Sequence, residues 1–270
     1  MTRVIDAWSQ QPNELFMRQP WLRPLLRWTR QEDLPALPID VTLKAMDDAG
    51  VEKSLLCAWV GPHGALIDND ETAEHVRAHP DRFAGIASVD LTRPVEAVRE
   101  LRRAVTDLGM VALRVVPWLW NLPPNDRRYY PLLQACVELG VPFCTQIGHT
   151  GPLCPSEPGR PIPYLETVLL EFPELVVIGG HVGAPWIDEV LFLAKKFPNF
   201  YIDTSAYAAH RLPSTLVDYL RGSGRTRVLF GTNWPMLSAQ RCLERLDELD
   251  LDAEARDLFL GGNAARVFGV

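Results

Sequence analysis

Two histidines stand where apolar runs end in glycine-rich turns: His149 in QIGHTG and His181 in IGGHVG. Imidazole exchanges protons near neutral pH and also ligates metals, and glycine lets the backbone approach a bound molecule closely. Asn233 in FGTNWP and Gln146 in CTQIG add amides that donate and accept hydrogen bonds. Arg114 follows Ala112-Leu113 at the end of another apolar run. A guanidinium there needs a carboxylate partner, with Asp90 and Asp203 available, or an anionic substrate. Trp118 and Trp120 lie in the loop-like stretch WLWNLPPNDRRYY, where they serve either core packing or an aromatic wall for a planar ligand. Trp8, Gln10 and Tyr207 also fall just beyond apolar runs. His63 and His210 read as structural histidines, and His75 and His79 as solvent-facing.

These residues need elements to hold them, and the chain supplies a regular alternation. Eight strand-like runs occur at Val4–Ala7, Lys53–Ala58, Phe83–Val89, Val111–Val115, Pro142–Ile147, Leu175–Ile178, Phe200–Asp203 and Arg227–Phe230. They are short and apolar without strict alternation, as in strands covered on both faces. Helical periodicity fills the intervals, with Asn69 and Ser214 as N-caps and Gly50 and Gly140 as C-terminal stops. Three further helices follow the last run. The pattern predicts a single α/β domain over residues 1–270, a (β/α)8 TIM barrel with an insertion after strand 1 and C-terminal helices. No GxGxxG follows the first run, against a dinucleotide-binding sheet. Barrel enzymes work at the C-terminal ends of their strands, where the residues above fall. The insertion, 8–39, carries Phe16, Trp21, Leu22, Leu25, Leu26 and Trp28. It reads as a lid over the barrel mouth or as a subunit contact.

Composition narrows the setting. A formal net charge of -7 over 270 residues argues against a general nucleic-acid surface. The five cysteines, Cys57, Cys136, Cys144, Cys154 and Cys242, form no CxxC and read as reduced thiols. The start shows no signal-peptide run and no segment suits a membrane span, so a cytoplasmic location is expected, with no membrane partner.

At GVPFCTQIGHTG, ELVVIGGHVGAPW, NFYIDTSA and VLFGTNWP the chain resembles amidohydrolase-related barrel proteins of the branch holding aminocarboxymuconate-semialdehyde and resorcylate decarboxylases. The resemblance runs from the first strand to LGGNAARVFG. That family usually opens I-D-x-H-x-H, whereas this chain reads Ile5-Asp6-Ala7-Trp8-Ser9-Gln10. The eighth-strand aspartate is replaced by Asn233, and Gln146 stands where a fifth-strand histidine is expected, with His149 three residues on. Indole cannot ligate a metal and neutral amides are weak zinc ligands, so His149 and His181 fall short of three protein ligands. The expectation is therefore a metal-independent site without cofactor, zinc or another divalent metal remaining the alternative.

On that reading His181 is a general base with His149 and Asn233 beside it, and Asn233, Gln146 and Tyr207 donate hydrogen bonds to developing anions. Arg114 and Arg160, the latter in PSEPGRPIPY, hold a substrate carboxylate or phosphate, and Trp8 and Gln10 become part of the pocket. The I-D-A-W-x-Q start, P-W-L-W-N-L-P-P and CTQ-x-GHTGP further resemble proteins assigned as 4-hydroxyphenyl-β-ketoacyl-CoA hydrolases. This implies a retro-Claisen hydrolysis of an aryl β-ketoacyl-CoA, the partner being an anionic aromatic small molecule or a CoA thioester. Lactone hydrolysis, decarboxylation of an aromatic or enoic acid, and a non-catalytic binding barrel are the alternatives. The apolar insertion and terminal helices are compatible with a homodimer.

Overall fold

The computed structural model describes residues 3–32 and 34–270. Among the described residues there are ten strands: β1 (Ile5–Ser9), β2 (Lys53–Cys57), β3 (Trp59–Gly61), β4 (Gly64–Ile67), β5 (Phe83–Ala87), β6 (Ala112–Val115), β7 (Phe143–Gln146), β8 (Val177–Gly180), β9 (Phe200–Asp203) and β10 (Val228–Leu229). Eight form one parallel sheet in the order β1-β2-β5-β6-β7-β8-β9-β10. Its edges meet where Ala7 N donates to Phe230 O (3.0 Å), Asn233 N donates to Trp8 O (2.7 Å), and Ser9 bridges Trp234. The result is the expected TIM barrel.

Side-chain alternation explains why the strand runs are apolar throughout. Ile5, Ala7, Leu55, Cys57, Ala84, Ile86, Ala112, Cys144, Ile178 and Leu229 form one buried cluster, which Ala264 and Phe268 of the C-terminal helix join. Their strand neighbours Leu56, Phe83, Leu113, Phe143, Val177, Phe200, Ile202 and Val228 belong to a second cluster shared with the surrounding helices. With both faces covered, neither set can be polar.

Helix ends follow local chemistry. Gly50 and Gly140 close their helices at φ 68°, a left-handed conformation that glycine adopts without a Cβ clash. The caps differ from expectation. Asp68, not Asn69, accepts from Glu71 N (2.7 Å), while Asn69 pairs its amide with Ser88 across to β5's end. Ser214 is the first helical residue and makes no capping bond, Pro213 preceding it.

Between β2 and β5 lies an antiparallel hairpin, β3–β4, that the run pattern does not show. The insertion after β1 contains two short helices, Glu14–Met17 and Arg23–Trp28, joined by a turn at Pro20–Leu22. Asn13 caps the first by accepting from Phe16 N (2.9 Å) and donates to Leu66 O (2.9 Å), tying the insertion to the hairpin. Phe16, Leu22, Leu25 and Leu26 then pack with Trp59, Ile67, Val116 and Trp118 as a third apolar cluster. No helix among the described residues is long and apolar enough to cross a membrane.

Candidate active site

The insertion and the loops after the strands enclose a cavity of about 990 Å³ at the C-terminal end of the barrel. Its polar lining includes Gln10, Gln146, His149, His181, Tyr207 and Asn233; Trp21, Leu25, Leu26, Trp59 and Trp118 supply aromatic and aliphatic surface. Arg30, Arg211 and Arg241 line it as well and are exposed. A largely apolar cavity with few polar groups suits a small organic ligand.

Unusual backbone holds the polar groups in place. His181 (φ 70°), Val182 (φ 64°), Ala206 (φ 68°) and Asn233 (φ 63°) all take the left-handed region, which side chains other than glycine rarely enter. Four such residues just beyond β8, β9 and β10 mark a site whose geometry the surrounding packing enforces. Gly180 is equally constrained: a Cβ there would sit 2.5 Å from the Trp8 ring. Gly148 (φ 86°) would place a Cβ 2.6 Å from Ala184 O. The turn that carries His149, whose N donates to Ala184 O (2.7 Å), depends on that close approach.

His181 lines the cavity at one edge, and its Nδ1 lies 2.7 Å from Ser205 Oγ. Surrounding protein, with Arg114 adding to it, pushes the imidazole pKa down to about 3. Behind it Ser205 Oγ bonds Asp203, and burial pushes that carboxyl up to about 7 despite the hydrogen bonds from Ser205. Burial also raises Asp6 to about 6, although Thr232, Trp8 and Ser54 donate to it. The Trp118 indole donates to Gln146 Oε1 (2.6 Å), which fixes both side chains in the wall. Gln10 Nε2 donates to Trp234 O, leaving Gln10 Oε1 buried without a protein partner among the described residues.

Four expected site residues lie elsewhere. Trp8 is buried under the cavity, its ring 5.3 Å from His181 and 4.4 Å from the Arg114 guanidinium. Arg114 is 1% exposed and does not line the cavity. It donates to Ser9 O (3.0 Å) and faces Trp8 and Trp59, while Nε and Nη1 find no partner among the described residues. Neither expected carboxylate pairs with it, since Asp90 caps Thr92 and Asp203 bonds Ser205. Burial lowers its pKa to about 9. Trp120 belongs to the cluster between barrel and helices, and Arg160 is held by Glu189 at 2.7 Å, outside the cavity. His63 is exposed in the β3–β4 turn, and His75 and His79 are half-buried rather than solvent-facing.

The cavity also draws on residues that motif reading did not single out: Leu237 and Met236 beyond β10, and Arg211 after β9. The large apolar load of the insertion was the available signal for Trp21, Leu25 and Leu26.

The amidohydrolase family pattern matches residues 20–270. The chain belongs to the amidohydrolase family. The gamma-resorcylate decarboxylase of Rhodococcus jostii is 28% identical, over 85% of this chain and 87% of that one. A TIM-barrel protein from Bordetella bronchiseptica superposes with TM-score 0.86 at 25% identity, covering 99% of this chain and 98% of that one. A dihydroxybenzoic acid decarboxylase from Polaromonas sp. JS666, solved with manganese and 2-nitroresorcinol, gives TM-score 0.74 at 24% identity, covering all of this chain and 97% of that one.

These relatives correct the expected chemistry of this amidohydrolase. The Rhodococcus and Polaromonas relatives are decarboxylases, which overturns the expected retro-Claisen hydrolysis of an aryl β-ketoacyl-CoA and the expectation of a hydrolase. The bound manganese of the Polaromonas protein likewise overturns metal independence as an expectation for the group. The donors present here do not fit a centre of imidazoles and carboxylates. Among the described residues no three His, Cys, Asp or Glu side chains converge, and the cavity offers the amides Gln10, Gln146 and Asn233 between two imidazoles. The chemistry below therefore draws on the chain's own side chains.

Proposed function

We propose that this amidohydrolase decarboxylates a hydroxylated aromatic acid. The observation that carries the reading is the cavity itself: indole walls that a planar ring can lie against, and two imidazoles, His149 and His181, among amides. The family relatives named for gamma-resorcylate (2,6-dihydroxybenzoate) support the same class.

The ring stacks against Trp21 and Trp118, whose planes are locked by each other and by Gln146. Among the amides lining the cavity, Gln10, Gln146 and Asn233 are the hydrogen-bonding groups for ring hydroxyls and the carboxylate. His181 delivers a proton to the carbon bearing the carboxylate, and loss of CO2 restores the aromatic ring. Burying the carboxylate in apolar surroundings removes water that stabilises the charge, while the charge-dispersed transition state loses less. The insertion, whose residues from Phe16 to Gln31 include much of the cavity lining, acts in this reading as the lid that excludes water.

A panel of ortho- and para-hydroxylated benzoates, 2,6-dihydroxybenzoate first, tests this by CO2 release and arene formation. Turnover of at least one acid is expected, with His181→Ala lowering kcat by about 100-fold or more. Saturable binding of these acids with no CO2 released would sink the decarboxylase reading and leave a binding barrel.

A further inference from the structure

Ser205 and Asp203 lie outside the cavity yet are tied to the imidazole that lines it. Ser205 Oγ stands 2.7 Å from His181 Nδ1, the same hydroxyl bonds Asp203 Oδ1, and Ser205 N–H donates to Asp203 Oδ1 (2.9 Å). Both residues are 0% exposed. One continuous file thus runs from a carboxyl through a hydroxyl and an imidazole to the cavity. We propose that Asp203 and Ser205 are a proton relay that supplies His181 from behind, Asp203 as the reservoir and Ser205 as the carrier. The step it serves rests on the decarboxylase reading.

The need for a relay follows from the surroundings of His181. Trp8 lies 5.3 Å from its ring, and the buried Arg114 cation opposes a second positive charge. The imidazole is therefore neutral at working pH, and a neutral imidazole that lost its Nε2 proton alone would become an imidazolate. The file avoids this. As the Nε2–H bond breaks and the substrate C–H bond forms, Nδ1 takes the Ser205 hydroxyl proton and Ser205 Oγ takes the proton of Asp203 Oδ1. The balance is one aromatic carboxylate and one Asp203 carboxylic acid in, one arene, one CO2 and one Asp203 carboxylate out. His181 ends neutral with its proton on Nδ1. After product leaves, a solvent proton enters at Nε2 and the file runs backwards.

Asp203 is suited to start the relay as an acid. The Ser205 hydroxyl donates to Oδ1 when Asp203 is a carboxylate. Once Asp203 is protonated, its Oδ1–H donates to Ser205 Oγ and the hydroxyl turns to His181 Nδ1. Asp203 Oδ2 is buried without a hydrogen-bond partner among the described residues, and a Cβ at Gly231 would come within 2.3 Å of that oxygen. The other titratable groups around it are Asp6, which repels its charge, Arg114, which attracts it without forming an ion pair, and the thiols Cys144 and Cys242. Burial outweighs these, so the neutral carboxyl is well populated near pH 7.

The simpler role, in which Asp203 merely shapes the turn after β9, is separable by Asp203→Asn. Asparagine with its oxygen at the Oδ1 position keeps the acceptor for Ser205 N–H and Ser205 Oγ but has no carboxyl proton to give. With 2,6-dihydroxybenzoate, D203N and S205A are expected to lower kcat about 100-fold with KM within about twofold, and S205T to recover most of the loss. By 15N NMR of histidine-labelled protein, wild type should carry the His181 proton on Nε2 with a bare Nδ1, D203N should move it to Nδ1 because the asparagine oxygen accepts the Ser205 hydroxyl proton, and S205A should mix tautomers. Near-normal kcat in D203N, or a proton fixed on Nδ1 of the resting wild type, overturns the relay. If wild type turns over no hydroxybenzoate, the decarboxylase reading has failed, and the tautomer alone decides the file: bare Nδ1 upholds it and protonated Nδ1 removes it.

Discussion

At the scale of single residues, the interior of this barrel carries more ionisable groups than its apolar strands suggest, and they make stability depend on pH in opposing directions. Asp203 has a folded pKa near 7 against an ordinary value of 3.8. The stabilisation of its protonated form is complete below 3.8 and is lost as pH rises through 7. Asp6 behaves alike, with its loss centred near 6. His181, depressed from 6.5 to about 3, contributes in the opposite sense: its share is present above 6.5 and lost as pH falls towards 3. Comparing wild type with Asp203→Asn isolates one group. The variant is expected to gain relative stability from pH 4 to about pH 7, by up to about 4 kcal/mol, and to level off above that. Urea denaturation at four or five pH values measures it; a difference that stays flat with pH shows that Asp203 is ionised throughout. Sequence could name these residues at strand ends but not their states. Whether Asp203 meets Arg114 or Ser205 depends on angles around the barrel, which spacing along the chain does not contain.

At the scale of elements, the strand pattern was legible because burial on both faces leaves only apolar side chains. It faltered where side chains vanish. The sixth apolar run ends at Ile178, but β8 continues through Gly179 and Gly180. Those positions have no hydrophobic signal, yet a Cβ at Gly179 would lie 2.6 Å from Ile147 and one at Gly180 2.5 Å from Trp8. The β3–β4 hairpin was missed for another reason: strands of three and four residues show too little alternation to separate from a loop. The insertion was recognisable from its aromatic load, and its packing gives that load a use. Trp21 meets Phe16 (5.9 Å), Trp118 (5.2 Å) and Trp59 (6.3 Å) while lining the cavity. If the insertion is the lid proposed above, Trp21→Ala should raise KM for the aromatic acid by roughly tenfold, worth about 1–2 kcal/mol of lost ring contact, with kcat little changed. An unaltered KM accompanied by a change in sedimentation coefficient would assign the insertion to a subunit contact instead.

At the scale of the whole molecule, the sequence led to the right barrel and the wrong reaction, and charge offers a way to test the corrected one. Adding water to a carbonyl and protonating a ring carbon both ask for an imidazole and amide donors, so His181 and Asn233 do not by themselves distinguish hydrolysis from decarboxylation. The substrates differ in where their charge lies. The protein carries a formal net charge of -7, which repels an anion at long range. The cavity lining nevertheless includes three arginines. Arg241 is paired with Glu244, whereas Arg30 and Arg211 form no ion pair among the described residues. A cationic cavity on an acidic molecule concentrates a small carboxylate locally, and salt screens that attraction once the Debye length falls from about 20 Å to about 4 Å. Raising NaCl from about 20 mM to about 500 mM should therefore lower kcat/KM for a hydroxybenzoate several-fold, mostly through KM. Arg211→Ser should lower kcat/KM at low salt and flatten the salt dependence, because the charge being screened has gone. A salt profile identical in wild type and R211S would show that the anion reaches His181 without help from the mouth, and would place its recognition wholly on the neutral amides of the cavity floor.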